Sequence, residues 1–265
     1  MKKTLQIGNI IALLITIFIN YLSNTGTLNN TTIGEVSNSY RSLFTPAGYT
    51  FAIWGVIYLL LIGFVIYQGR GLFKDVKNDD VVLKTGWWFI LSCLFNSLWV
   101  FAWIYEYTGV SCIFIFLLLF SLLKIVVNNR MELDDEPLPI IAFVWWPFVI
   151  YSGWVTVASI ANVSTYLVKI DWGGFGWSDV TWTIILIAIA VFINVIITWK
   201  RNMREFALVG AWALIGIGNA NKLNNETLMY IAFISAAILI ISSSIHGFKN
   251  RDTSPLVKLK EGNNS

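Results

Sequence analysis

Along the chain, long apolar runs alternate with short polar connections. The runs cover approximately 5–23, 49–68, 86–105, 109–127, 138–162, 180–199, 206–221 and 227–246. Most are close to the length that a helix rising 1.5 Å per residue needs to cross about 30 Å of hydrocarbon. The seventh is short and glycine-rich, which makes it the weakest of the set. This pattern predicts an all-α polytopic membrane protein of about eight transmembrane helices. The first run follows Met1-Lys2-Lys3, but the residues behind it read Asn20-Tyr21-Leu22-Ser23-Asn24. Without a small-x-small cleavage site, it is expected to stay as a helix and not be removed as a signal.

Composition agrees with the pattern. Of 265 residues, 57% are hydrophobic and 12% charged, against about 25% charged in a soluble domain. The net charge of +3 is no nucleic-acid signal, because basic residues cluster between the apolar runs. Lys2 and Lys3 precede the first run. Arg70, Lys74, Lys77 and Lys84 separate the second and third, and Lys124 and Arg130 flank the fourth connection. Lys200, Arg201 and Arg204 follow the sixth run, and Lys249, Arg251, Lys258 and Lys260 fill the tail. The alternate connections carry fewer, so both termini are expected on the cytoplasmic side of a cell membrane. Met131–Glu136 is expected to be a solvated loop, 24–38 an exposed outer loop, and 170–178 an interfacial segment rich in Trp and Gly.

The chemistry visible in the sequence excludes more than it selects. Cys93 and Cys112 sit in apolar runs and should be inert thiols, and His246 is the only histidine. No histidine metal centre, Ser–His pairing or phosphate-binding glycine loop is apparent, so nothing marks an enzyme. No pair of intramembrane carboxylates marks an ion path. What the spans do carry is aromatic residues and neutral amides.

The stretch 45–68 concentrates them, with Tyr49, Phe51, Trp54 and Tyr58 near its start. Running inward from Tyr49, it places Trp54 about 8 Å deep and Tyr58 one turn deeper on the same face. The third run travels outward and puts Trp99 about 9 Å deep, with Asn96 a turn further in. The fifth run places Ala158 and Trp154 at about 6 and 12 Å below Asn162. Three helices thus converge on the outer half of the bilayer, where an aromatic-walled cavity with a few amides would form. Trp87, Trp88, Trp103, Trp182 and Trp199 suit an interfacial belt. Pro147 predicts a kink and a freed carbonyl near Phe143. Asn96 and Asn162 equally suit interhelical hydrogen bonding.

With these residues assembled, the sequence resembles the tryptophan-rich sensory protein / translocator protein (TspO/MBR) family. Pro46, Tyr49, Phe51, Trp54 and Tyr58 keep the spacing of that family's second helix, with Thr45 at its first proline. Asn96 and Trp99 match the third-helix pattern, with Ser92 in place of its glutamine. Trp154, Ala158 and Asn162 match the fifth, although Pro147 lies three residues further upstream than the pattern has it. The resemblance spans about residues 1–165. It implies a five-helix bundle, here followed by three further helices at 166–248 and a polar tail at 249–265. It also implies a hydrophobic or tetrapyrrole-like ligand, such as a porphyrin, held by Trp54, Tyr58, Asn96, Trp99, Trp154, Ala158 and Asn162. No required cofactor follows, and a homodimer in the lipid bilayer is the assembly to expect. Where family members usually place a tryptophan near the ligand, the loop from Asn24 to Leu43 has none. Two other readings stay open: a secondary transporter of a small solute, with broken helices around Pro147 and Gly216–Gly218, and a membrane enzyme degrading tetrapyrroles.

Overall fold

Lipid outside and amides inside set the packing of the first helix. In the computed structural model, which describes residues 1–74, 76 and 80–250, α1 (Lys2–Asn24) buries Gln6, Asn9, Leu13, Thr16, Asn20 and Ser23. These recur at alternating intervals of three and four and so share one helical face. Ile7, Ile11, Leu14, Ile15 and Phe18 face outward. A soluble helix would reverse this arrangement. Here the inward amides find partners instead of water: Gln6 Nε2 donates to the Gln68 carbonyl at 2.6 Å and Asn9 Nδ2 to Gln68 Oε1 at 3.0 Å.

Every apolar run forms a helix. After α1 come the short α2 (Ile33–Ser39), a 3₁₀ turn (Gly48–Ala52) leading into α3 (Ile53–Gly69), α4 (Val81–Thr85), α5 (Trp88–Ile104) and α6 (Thr108–Asn128). Then follow α7 (Leu138–Ile140), α8 (Trp146–Lys169), α9 (Asp179–Arg201), α10 (Arg204–Asn221) and α11 (Glu226–Lys249). Among the described residues, six helices are long and apolar enough to cross a membrane. At 17 residues α5 is shorter, and the 18-residue α10 is less apolar than those six. The break expected at Pro147 takes the form of a π-helical turn, Ile141–Trp145, between α7 and α8. Proline has no N–H to donate, and the widened turn absorbs the missing bond.

Five helices close a ring in which α1 packs on α3 and α5, α5 on α6, α6 on α8, and α8 on α3. Outside it, α10 packs on α8, α9, α11 and the 3₁₀ turn. Small residues permit that approach. A Cβ added at Gly153 would lie 3.0 Å from the Phe206 carbonyl oxygen. The start of α1 packs beside α4, and α4 beside α6; Asn129 Nδ2, at the end of α6, donates to Thr85 Oγ1 at 3.3 Å. From the loop after α6, the Glu132 carbonyl accepts from Asn202, whose Oδ1 pairs with His246 near the end of α11. Both ends of the helical array therefore lie together at one basic end of the bundle. Of the charges behind the expected orientation, Lys77, Arg251, Lys258 and Lys260 lie outside the described residues, as does most of the 249–265 tail.

Two expectations need correction. The Asn/Thr-rich run 24–38 is not simply an exposed loop, because α2 forms within it and buries Ile33, Val36 and Ser37. A capping box starts it: Glu35 N donates to Thr32 Oγ1, and Thr32 N to Glu35 Oε2. In the segment Met131–Glu136, Met131 is fully buried beneath the polar residues. Cys93 and Cys112 are free thiols, the first buried and the second partly so.

Candidate functional site

At the end of the bundle away from the chain termini, aromatic rings from α3, α5 and α8 meet. Trp54 is their hub. Its ring stacks on Tyr58 (centroids 5.6 Å, planes 21° apart), one helical turn on along α3. From α5, Trp99 stacks beside it at 6.4 Å and 28°. Trp154 and Tyr151 of α8 meet it edge-on, at 6.3 and 5.7 Å. Offset-stacked and T-shaped pairs are the arrangements that the ring quadrupole favours, each worth about 0.5–1.5 kcal/mol beyond burial.

Three of these rings, Trp54, Trp99 and Trp154, line an apolar cleft of about 50 Å³. Trp54, Trp99, Trp154, Ala158 and Asn162, all expected from the sequence, line it together with Trp103 and Phe51. Tyr58 does not reach the cleft; it borders a second cavity of about 290 Å³ between α1, α2 and the start of α3. Asn96 lines neither. Its side chain is fully buried, donating to Tyr151 Oη at 2.9 Å and accepting from Asn20 Nδ2 at 2.7 Å. The geometry gives it the interhelical pairing that an amide in a membrane helix often has.

Asn162 is also committed. Its Oδ1 accepts from Trp99 Nε1 at 2.7 Å, and its Nδ2 donates to Ser111 Oγ at 2.8 Å and lies 3.2 Å from Cys112 Sγ. One amide thereby ties α5, α6 and α8 beside the cleft. By contrast Trp154 Nε1, buried in the cleft wall, has no hydrogen-bond partner among the described residues, and neither has Tyr58 Oη.

Trp103 is not a belt residue. It is 5% exposed, stacks on Trp99 at 5.8 Å and donates Nε1 to the Ile33 carbonyl at 3.1 Å. The spacing held the clue, because Trp103 lies four residues after Trp99 and must share its face. Trp87 and Trp199 do stand exposed as belt residues do. The sequence reading also missed Tyr151, three residues before Trp154 on the same face, and the helix α2 that covers the cleft.

A cluster of side chains fixes α2 in place. Tyr40 Oη donates to Glu106 Oε2 at 2.6 Å, and Lys169 Nζ lies 3.3 Å from the same oxygen and 4.7 Å from the Tyr40 ring. The Tyr40 hydroxyl is the main reason the Glu106 carboxyl sits below its ordinary value; desolvation opposes the shift, and Lys169 adds to it. On the other flank α10 grips the chain leading into α3. Ala47 N donates to the Gly216 carbonyl at 3.0 Å, Trp212 Nε1 to the Thr50 carbonyl at 3.0 Å, and Asn221 Nδ2 to the Leu43 carbonyl at 2.9 Å. Thr50 is wholly buried against Gly216.

A family model described as TSPO-like protein matches residues 6–245, from α1 nearly to the end of α11. The matched region takes in the three C-terminal helices, which the motif comparison left outside. No curated protein and no solved structure matches the chain.

Proposed function

We propose, from the premise that this chain belongs to the TSPO-like protein family, that it binds a flat hydrophobic or tetrapyrrole-like ligand. The chain is a polytopic membrane protein of that family. The proposed binding place is the aromatic cleft among α3, α5 and α8, in the outer half of a cell membrane, and the role is sensing or carriage. The observation that carries this reading is the position of Trp54, held among Tyr58, Trp99, Tyr151 and Trp154. A wall of rings around a narrow slot suits a planar guest. At about 50 Å³ the slot holds a water or two, whose share of the liquid is about 30 Å³ each. A ring-sized guest enters by turning an indole aside.

The transporter reading needs a path through the bundle. Toward the basic end, Phe64, Phe89 and Phe148 are fully buried and pack edge-to-face with centroids 4.8–5.7 Å apart. That plug favours binding over conduction.

The test is titration of the purified protein in detergent with protoporphyrin IX, following tryptophan fluorescence. Saturable quenching is expected, and Trp54→Leu is expected to weaken it by more than tenfold. Equal titrations of wild type and Trp54→Leu would overturn the assignment of the cleft.

A further inference from the structure

The second cavity separates the ligand chemistries that the cleft alone would accept. Trp54, Phe51, Ile33, Ser37 and Pro46 border both spaces. Cleft and cavity therefore meet at a shared wall with Trp54 in it. Their linings differ in kind. Apart from Ser37, Thr45, Asn162 and Thr165 the cleft is walled by rings and aliphatic groups, while the larger cavity adds Asn20, Asn24, Thr32 and Asn38. Tyr58 also borders it, though its hydroxyl is buried.

Neither lining contains a charged side chain. The charges borne on and around α2 are engaged elsewhere. Glu35 accepts from Thr32 N at 2.7 Å in the capping box, and Arg41 Nη2 donates to the Ala220 carbonyl at 3.0 Å. Glu106 and Lys169 pair with each other and with Tyr40. A carboxylate entering this space would lose water without meeting a cation, a cost of several kcal/mol even when partly relieved. A hydroxyl, amide or ester would instead meet the Asn38 amide and the Ser37 and Thr32 hydroxyls, which can donate and accept, and the amide oxygens of Asn20 and Asn24, whose N–H groups are already committed.

We propose that the two spaces form one bipartite site for an uncharged amphipath. The flat apolar body occupies the cleft once Trp54 swings aside, and an uncharged hydrogen-bonding end lies among Thr32, Ser37 and Asn38. Anionic end groups bind more weakly. This rests on the cleft being the ligand site, and it narrows the class of ligand within that reading.

The experiment compares protoporphyrin IX with its dimethyl ester, which share one macrocycle and differ in carrying two carboxylates or none. Both are titrated into the full chain in detergent. The ester is expected to bind at least about tenfold tighter, the difference that an uncompensated buried charge produces. Asn38 is exposed at the cavity rim, so Asn38→Lys should fold normally while supplying the missing cation. In that variant the preference for the ester is expected to disappear, which detergent partitioning of the ester could not bring about. Diacid binding as tight as the ester in wild type would overturn the end-group inference and leave the cleft reading standing. An ester preference unmoved by Asn38→Lys would also overturn it. Saturable binding of neither porphyrin would overturn both.

Discussion

Two polar residues beside the cleft show how the membrane interior amplifies single hydrogen bonds. Trp99 Nε1 donates to Asn162 Oδ1 at 2.7 Å, and both residues are buried. Trp99→Phe keeps a ring but leaves that oxygen without its donor. The expected cost is about 1–2 kcal/mol, seen as a lower thermal midpoint in detergent, because a buried acceptor then has no water to turn to. Glu106 lies outside the spans, in the turn between α5 and α6, and its behaviour is set by pH. Its folded value lies below the ordinary 4.5 because Tyr40 and Lys169 favour the carboxylate. Such a group stabilises the fold fully above the unfolded value, and the contribution is lost as pH falls through the folded value. The Tyr40–Glu106 contact is therefore at full strength at neutral pH and weakens in acid below 4.5. Its carboxylate side is 43% exposed, so solvent screening keeps the effect small. Thermal midpoints measured against pH should lose part of their acid-side slope in Glu106→Gln; an unchanged slope would remove Glu106 from the account.

At the scale of elements, the tight junction between α10 and the 3₁₀ turn makes the clearest demand. A methyl group at Gly216 would overlap Thr50, and Ala47 N bonds to the Gly216 carbonyl. Gly216→Ala is expected to destabilise the protein by about 1–3 kcal/mol, the usual cost of overpacking. Adding Thr50→Ala removes the atoms in closest conflict and should restore most of the loss in the same melting assay. A double variant no more stable than Gly216→Ala would place the strain elsewhere. The sequence showed this junction poorly. The bonds joining it connect residues 162–178 positions apart, and no local periodicity records such a contact. The helices themselves were plain in the apolar runs, because lipid imposes length and hydropathy on each one separately. Between these extremes lies α2, whose Thr32 and Glu35 spelled a capping box while the surrounding Asn and Thr suggested a loop. Trp103 was misjudged because depth was weighed without the helical face it shares with Trp99.

For the whole molecule, the convergence of Trp54, Trp99 and Trp154 was legible from depth and spacing, since rigid helices carry a count of residues into a distance. The arrangement of the last three helices was not, and α10 shows why. Its neighbours α8, α9, α11 and the 3₁₀ turn surround it. Glycine and alanine on such a helix serve close packing more than solubility in lipid, so its hydropathy is low by design of its surroundings. The consequence concerns biogenesis. Emerging from the ribosome in chain order, α10 reaches the membrane before α11 exists to cover it, and its own residues give the insertion machinery a weak signal. It is expected to enter only with α11, as a hairpin. In a microsomal insertion assay, a glycosylation tag following Asn221 should stay unmodified when the chain stops there and become modified once α11 is appended. Full modification without α11 would mean that α10 crosses alone.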